Sequence, residues 1–279
     1  MQVWLVTDPT SLSDTLYEQG IALVDETSKA KIKRFYRRAD SCSEQCYSRV
    51  LHSPLAAVRR MPGRPSSPSS APPRARILAR LCRFEAVMTS PCHDQTTPGI
   101  DPPIGFNVSH DNDLVAMAFA PGVHDPPAYR IGVDVMKVQL PLREPFRSFV
   151  DTVGDTFTSL EKALLLSVDV PEEEALRRFY LMWTMKEAYT KALGIGLGFD
   201  FRRIECDVPA KTVSVDGVPP KGWEFTTFTL TLGGAPYQGV VARFVGGGVD
   251  AVVCEARDQV RSFEACSFVE NAARQLKEK

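Results

Sequence analysis

The run Trp183-Thr-Met-Lys-Glu-Ala-Tyr-Thr-Lys191 sets two lysines and one glutamate within a few turns of a helix-forming stretch. Residues four apart share a helix face, so Trp183, Glu187 and Lys191 form one stripe and Lys186 flanks it. The plain alternative is an exposed Glu187–Lys191 ion pair worth about 0.3 kcal/mol. Two features weigh against it: Trp183 anchors the buried side and draws Glu187 with it, and Gly194-Ile-Gly196 puts flexible backbone directly after the charges. A carboxylate drawn toward burial needs a cation. A second carboxylate, Asp134, stands in Tyr129-Arg-Ile-Gly-Val-Asp-Val135, where Ile131, Val133 and Val135 share one strand face and Asp134 takes the other, between Gly132 and Met136. If Asp134 and Glu187 meet, they make a hard-oxygen site suited to magnesium. Lys186 and Lys191 beside it would neutralise a phosphate, the layout phosphoryl transfer needs, since its transition state is stabilised mainly by placed cations. Asn107, Ser109 and His110, at the start of another strand, offer hydrogen-bonding groups to one anion, although a lone histidine serves structure equally well. His52, His93 and His124 carry no assignment.

The elements that must position these groups can be read from pattern. Met1–Val6 alternates as a strand, and Ser28–Tyr36 reads as a short basic helix containing Lys31. Leu114–Ala120 and Tyr129–Val135 read as strands separated by a Pro-rich turn. Thr158-Ser-Leu-Glu161 has capping-box spacing and opens a helix. The next helix is expected to begin at Asp169 as N-cap and to run to Leu193, where Gly194 stops it. Phe201–Cys254 alternates around Asp216-Gly217 and Gly233-Gly234, predicting antiparallel strands, and Ser262–Lys277 predicts a closing helix. The whole is an α+β pattern with strand-then-helix units in both halves.

Composition narrows the functional classes. With 33 basic against 34 acidic residues, nothing in the total charge suggests a nucleic-acid partner. No apolar run approaches a membrane span and the N-terminus lacks a signal-peptide pattern, so a cytoplasmic protein is expected. Seven cysteines without a CxxC pair disfavour disulfides and zinc. The tract 41–103 differs from the rest: it contains Pro65-Ser-Ser-Pro-Ser-Ser-Ala-Pro-Pro73, and Arg59–Arg83 holds seven arginines and no acid. It reads as a solvated insertion or, from its abrupt edges, as misread gene sequence; the arginines lack the interleaved aromatics that RNA stacking needs.

Phe106-Asn-Val-Ser-His110, Gly132-Val-Asp-Val-Met-Lys137, Phe157-Thr-Ser-Leu-Glu161 and Trp183–Lys191, in this order, resemble the phosphopantetheinyl transferases of the surfactin-activating type, in their animal and fungal branch. The likeness spans Ile104 to about Phe225, plus Lys31 to Asp40. It implies two similar α+β halves related by a pseudo-twofold, with coenzyme A in the cleft between them, divided as residues 1–128 and 129–279. It implies magnesium-dependent transfer of the 4'-phosphopantetheine arm from coenzyme A to a serine of apo carrier domains in fatty acid synthase, polyketide synthase, nonribosomal peptide synthetase or aminoadipate reductase, by a monomer. On the same ground Asp134 and Glu187 would hold the metal. Lys186 and Lys191 would contact phosphate, as would Asn107, Ser109 and His110, and Lys31 would reach the nucleotide. Glu187, a base near it or a water on the metal would take the serine proton, and Met136 stands where bacterial relatives carry a third carboxylate. The tract 41–103 replaces a helix and a basic motif usual in that family, which leaves a second reading: an impaired binder of coenzyme A or carrier protein.

Overall fold

The computed structural model describes residues 1–23, 26, 29, 104–121, 131–140, 145–195 and 198–277. Lys31, the tract 41–103 and His52, His93 and His124 lie outside them. In chain order the elements are β1 (Gln2–Thr7), α1 (Asp14–Ala22), β2 (Ile104–Asp111), β3 (Leu114–Pro121), β4 (Ile131–Lys137), α2 (Phe146–Val153), α3 (Ser159–Leu166) and α4 (Glu172–Leu193). They continue as β5 (Ile204–Asp207), β6 (Thr212–Val215), β7 (Trp223–Leu232), β8 (Ala235–Phe244), β9 (Val252–Glu255), β10 (Val260–Glu264) and α5 (Ala265–Lys277).

Two four-stranded sheets carry the α+β fold, ordered β10-β1-β3-β2 and β4-β8-β7-β9, with β5-β6 as a separate hairpin. Both sheets follow one pairing pattern. An outer strand pairs parallel with its neighbour (β10 with β1, β9 with β7), and two antiparallel pairings follow. Their shared face is apolar: Val3, Leu5, Ala116 and Ala118 of the first sheet pack with Val133, Val135, Phe228 and Val241 of the second. The outer face of the first sheet buries Val6, Val115 and Met117 against Ala265 and Val269 of α5. The outer face of the second is covered by α4, with Phe149 of α2 and Leu165 of α3 in the same core. The layers are therefore helix, sheet, sheet, helix.

The expected boundary at 128/129 does not hold for the end of the chain. β10 and α5 return to the first sheet, because β10 pairs parallel with β1, and a contact between opposite ends of the sequence leaves no local signal. The closing helix starts at Ala265 and not at Ser262, since residues 262–264 belong to β10. β9 likewise pairs parallel with β7, where the alternation predicted antiparallel strands throughout.

Local signals hold elsewhere. The capping box forms: Thr158 N–H donates to Glu161 Oε2 at 2.8 Å, and Glu161 N–H donates to Thr158 Oγ1 at 3.3 Å. Helix α4 runs for 22 residues, but its N-cap is Pro171, not Asp169; Glu172–Glu174 then complement the positive helix end. Gly194 closes it at φ 69°, a left-handed conformation glycine adopts without a Cβ clash. All twelve residues from Phe179 to Thr190 are buried, so this helix is enclosed on every side and shows no polar face there.

Candidate active site

Chemistry concentrates where the edge strands of the two sheets, β2 and β4, lie side by side against α4. Alternation puts Asn107, Ser109 and Asp111 on one face of β2. Each reaches β4. Val133 N–H donates to Asn107 Oδ1 at 2.9 Å, Ser109 Oγ donates to Asp134 Oδ1 at 2.9 Å, and Lys137 N–H donates to Asp111 Oδ2 at 2.7 Å. These contacts climb both strands together and fix their register. Burial pushes the Asp111 carboxyl above its ordinary range, against the pull of the Lys137 N–H.

Helix α4 closes on the other side of Asp134. A Cβ on Gly132 would stand 2.1 Å from the Ala188 carbonyl oxygen and 2.5 Å from Ala192 N, so only glycine lets strand and helix approach this closely. Two residues along the same strand face, Asp134 Oδ1 accepts from Lys191 Nζ at 2.9 Å, and Lys191 Nζ also donates to Ser109 Oγ at 3.1 Å. Ser109, Asp134 and Lys191, from three elements, thus form one closed set of hydrogen bonds. Glu187 stands one turn before Lys191 on the same helical stripe. Asp134 and Glu187 are each 1% exposed. An exposed surface pair of Glu187 with Lys191 is excluded by burial, since the Lys191 side chain is only 6% exposed, and Lys191 pairs with Asp134.

Lys186 goes elsewhere. Five residues before Lys191 it projects about 140° around the helix, into a pocket where Nζ donates to Glu161 Oε2 at 2.6 Å, Thr156 O at 3.0 Å and Phe201 O at 3.1 Å. Its side chain and that of Glu161 are both 0% exposed, and Nζ lies 5.1 Å above the Phe157 ring. An ammonium has three N–H donors, and all are committed, so the expected phosphate contact by Lys186 is corrected to an internal ion pair. Glu161 completes the junction by accepting from Cys206 N–H at 2.9 Å as well as from Thr158 N–H. Sequence reading saw Glu161 only as a cap. The signal for more was its motif position, a glutamate three residues after an N-cap and 25 before a lysine in an aromatic-rich helix.

The remaining candidates separate. Asn107 spends its side-chain oxygen on Val133, so it clips the two strands together. His110 follows Ser109 and by alternation faces the opposite side of β2, the side of Val108 and Val115; it is half-buried and does not converge with Asp134. Met136 is buried in the α4 core. Lys31 is outside the described residues.

The donor set at the centre is all oxygen, from two buried carboxylates on facing elements, and suits a hard divalent cation that keeps several waters. Among the described residues no group of three or more His, Cys, Asp or Glu side chains has metal-site geometry, so such a cation would take at most these two carboxylates.

The chain is similar to known proteins of one family. The sequence profile of the 4'-phosphopantetheinyl transferase superfamily matches residues 130–237, which span β4 to the start of β8. A 4'-phosphopantetheinyl transferase, pptA, of Paxillus involutus is 43% identical over 285 residues, covering 99% of this chain and 100% of the relative. The L-aminoadipate-semialdehyde dehydrogenase-phosphopantetheinyl transferase of Rattus norvegicus is 31% identical over 135 residues, 44% of this chain and 41% of its own length. A phosphopantetheinyl transferase of Thraustochytrium is 32% identical over 145 residues, 46% of this chain and 47% of its own.

Proposed function

The chain belongs to the 4'-phosphopantetheinyl transferase superfamily, and from that premise we propose that it moves the phosphopantetheine arm of coenzyme A onto a serine of an apo carrier domain at the Ser109–Asp134–Lys191 set. The carrier's serine oxygen attacks the phosphorus that bears pantetheine. The new P–O bond forms as the bond to the adenosine 3',5'-bisphosphate breaks, and the serine proton passes to the Glu187 carboxylate. Lys191 carries the charge compensation, because its ammonium is pre-set by Asp134 Oδ1 and Ser109 Oγ and needs no reorganisation when charge builds on the phosphate. Magnesium held by Asp134 and Glu187 would supply charge neutralisation on the pyrophosphate. His110 is the candidate for the nucleotide end among the described residues, and the resemblance assigns Lys31 to the same end. The relatives named for L-aminoadipate-semialdehyde dehydrogenase support aminoadipate reductase as one carrier-bearing partner.

The observation that carries this reading is the Lys191–Asp134–Ser109 set, in which three elements distant in sequence converge on one buried carboxylate. The test is the intact mass of an apo carrier protein incubated with the chain, coenzyme A and magnesium, with a metal-free control. A gain of one phosphopantetheine, lost in Asp134→Ala and Glu187→Gln, is expected. Folded protein that binds coenzyme A but modifies no carrier would instead make it an impaired binder.

A further inference from the structure

One buried polar group beside this site is left out of the mechanism above. Gln238 lies on β8 directly opposite Met136 of β4, and Val240 lies opposite Asp134. Directly opposed residues of an antiparallel pair share a sheet face. Gly132 marks that face as the one against α4, and Tyr237 and Val241, which alternate with Gln238 and Val240, belong to the core between the sheets. Gln238 therefore projects into the layer that holds Asp134, as its diagonal neighbour, a separation of about 7–8 Å that long side chains bridge. It is 2% exposed, and its Oε1 accepts no hydrogen bond from the described residues. Leaving a buried amide oxygen unsatisfied costs about 1–3 kcal/mol, and an apolar residue of the same shape would avoid that cost.

We infer that Gln238 supplies the third protein oxygen of the cation site, completing a shell that Asp134 and Glu187 begin, directly or through one of the waters the cation keeps. The inference rests on the two-carboxylate reading above. It makes chemical sense of the amide: a neutral oxygen adds a hard donor without adding a third negative charge to a buried site that already holds two.

The test is Mn2+ binding to the full chain without coenzyme A, by calorimetry, on wild type, Gln238→Leu, Gln238→Glu and Asp134→Asn, with thermal unfolding of each. Expected are a tenfold or larger rise in Kd for Gln238→Leu, on the scale of outer-shell losses of about 10–100-fold, and a tighter Kd for Gln238→Glu. The leucine variant should melt no lower than wild type, because it removes an unsatisfied oxygen. Wild-type affinity in Gln238→Leu, with binding lost in Asp134→Asn, overturns the role of Gln238 and leaves the carboxylate pair standing. Absence of Mn2+ binding by wild type overturns both. Should the leucine variant fail to fold, Gln238→Glu decides, and a Kd no tighter than wild type rejects the inference.

Discussion

Two lysines five residues apart on α4 meet a carboxylate in the same way and to opposite ends. Lys186 and Glu161 are sealed, both at 0% exposure, and the ammonium is saturated by the carboxylate and two backbone carbonyls. Lys191 and Asp134 are nearly as buried, but they sit at the seam between the sheets, where the lysine's other named partner is a serine hydroxyl. The first pair ties the start of α3, the turn at residues 154–156, the turn at 201–203 and β5 to the middle of α4. The second ties two sheet edges to the helix with groups that can exchange partners. Burial alone does not separate a structural ion pair from a working one. What separates them is whether the donors are exhausted by groups that cannot leave.

The largest effect should come from Lys186→Met. It leaves the Glu161 carboxylate buried without its cation, and breaking a buried pair on one side costs about 3–5 kcal/mol, to be read as a lowered urea midpoint with an unchanged slope. Adding Glu161→Gln, which removes the charge and keeps an acceptor for the Thr158 and Cys206 N–H groups, should restore part of that loss; a single variant as stable as wild type would put Lys186 back among the phosphate contacts. Lys191→Ala also leaves a buried carboxylate without its cation and should lower stability, by less because Ser109 Oγ still donates to Asp134, while transfer loses about 2–4 kcal/mol of transition-state stabilisation. Steady-state kinetics with a carrier protein measures this, and an unchanged kcat/KM would remove Lys191 from the chemistry. The smallest effect belongs to a third pair near the start of α4, where Glu174 accepts from Arg177 and Arg178 at the surface. Its hydrogen bond with Arg177 is the main cause of a Glu174 pKa pulled down from 4.5 to about 2. A folded-state pKa below the unfolded one gives stability that is full above pH 4.5 and fades as pH falls toward 2. Glu174→Gln should therefore cost less than about 1 kcal/mol at neutral pH, and the difference from wild type should vanish near pH 2. A difference that persists there would assign the effect to packing.

Much of this was legible without coordinates. The capping box at Thr158–Glu161, the 22-residue helix and its glycine stop, and the turns at Asp216-Gly217 and Gly233-Gly234 rest on interactions within a few residues, and each is present, the turn glycines at positive φ. The strand alternation that set Asp134 opposite Ile131, Val133 and Val135 also holds, since a two-residue period fixes facing whatever lies on either side. The carboxylate pair and Lys191 could be nominated from residue type, because buried acids demand cations.

What periodicity could not supply was partner choice between distant elements. On a helix enclosed on every side, both lysines meet buried acids, and nothing in their spacing says which acid each will find. Only the close approach of β4 at Gly132 brings Asp134 to Lys191, and only the packing of α3 and β5 turns Lys186 toward Glu161. The return of β10 to pair with β1 is likewise a long-range parallel contact with no local trace. Residue chemistry and short-range pattern, which depend on neighbours along the chain, were determined by the sequence itself. Which charge meets which was decided by tertiary packing, because a buried ion takes the countercharge that the fold places within reach.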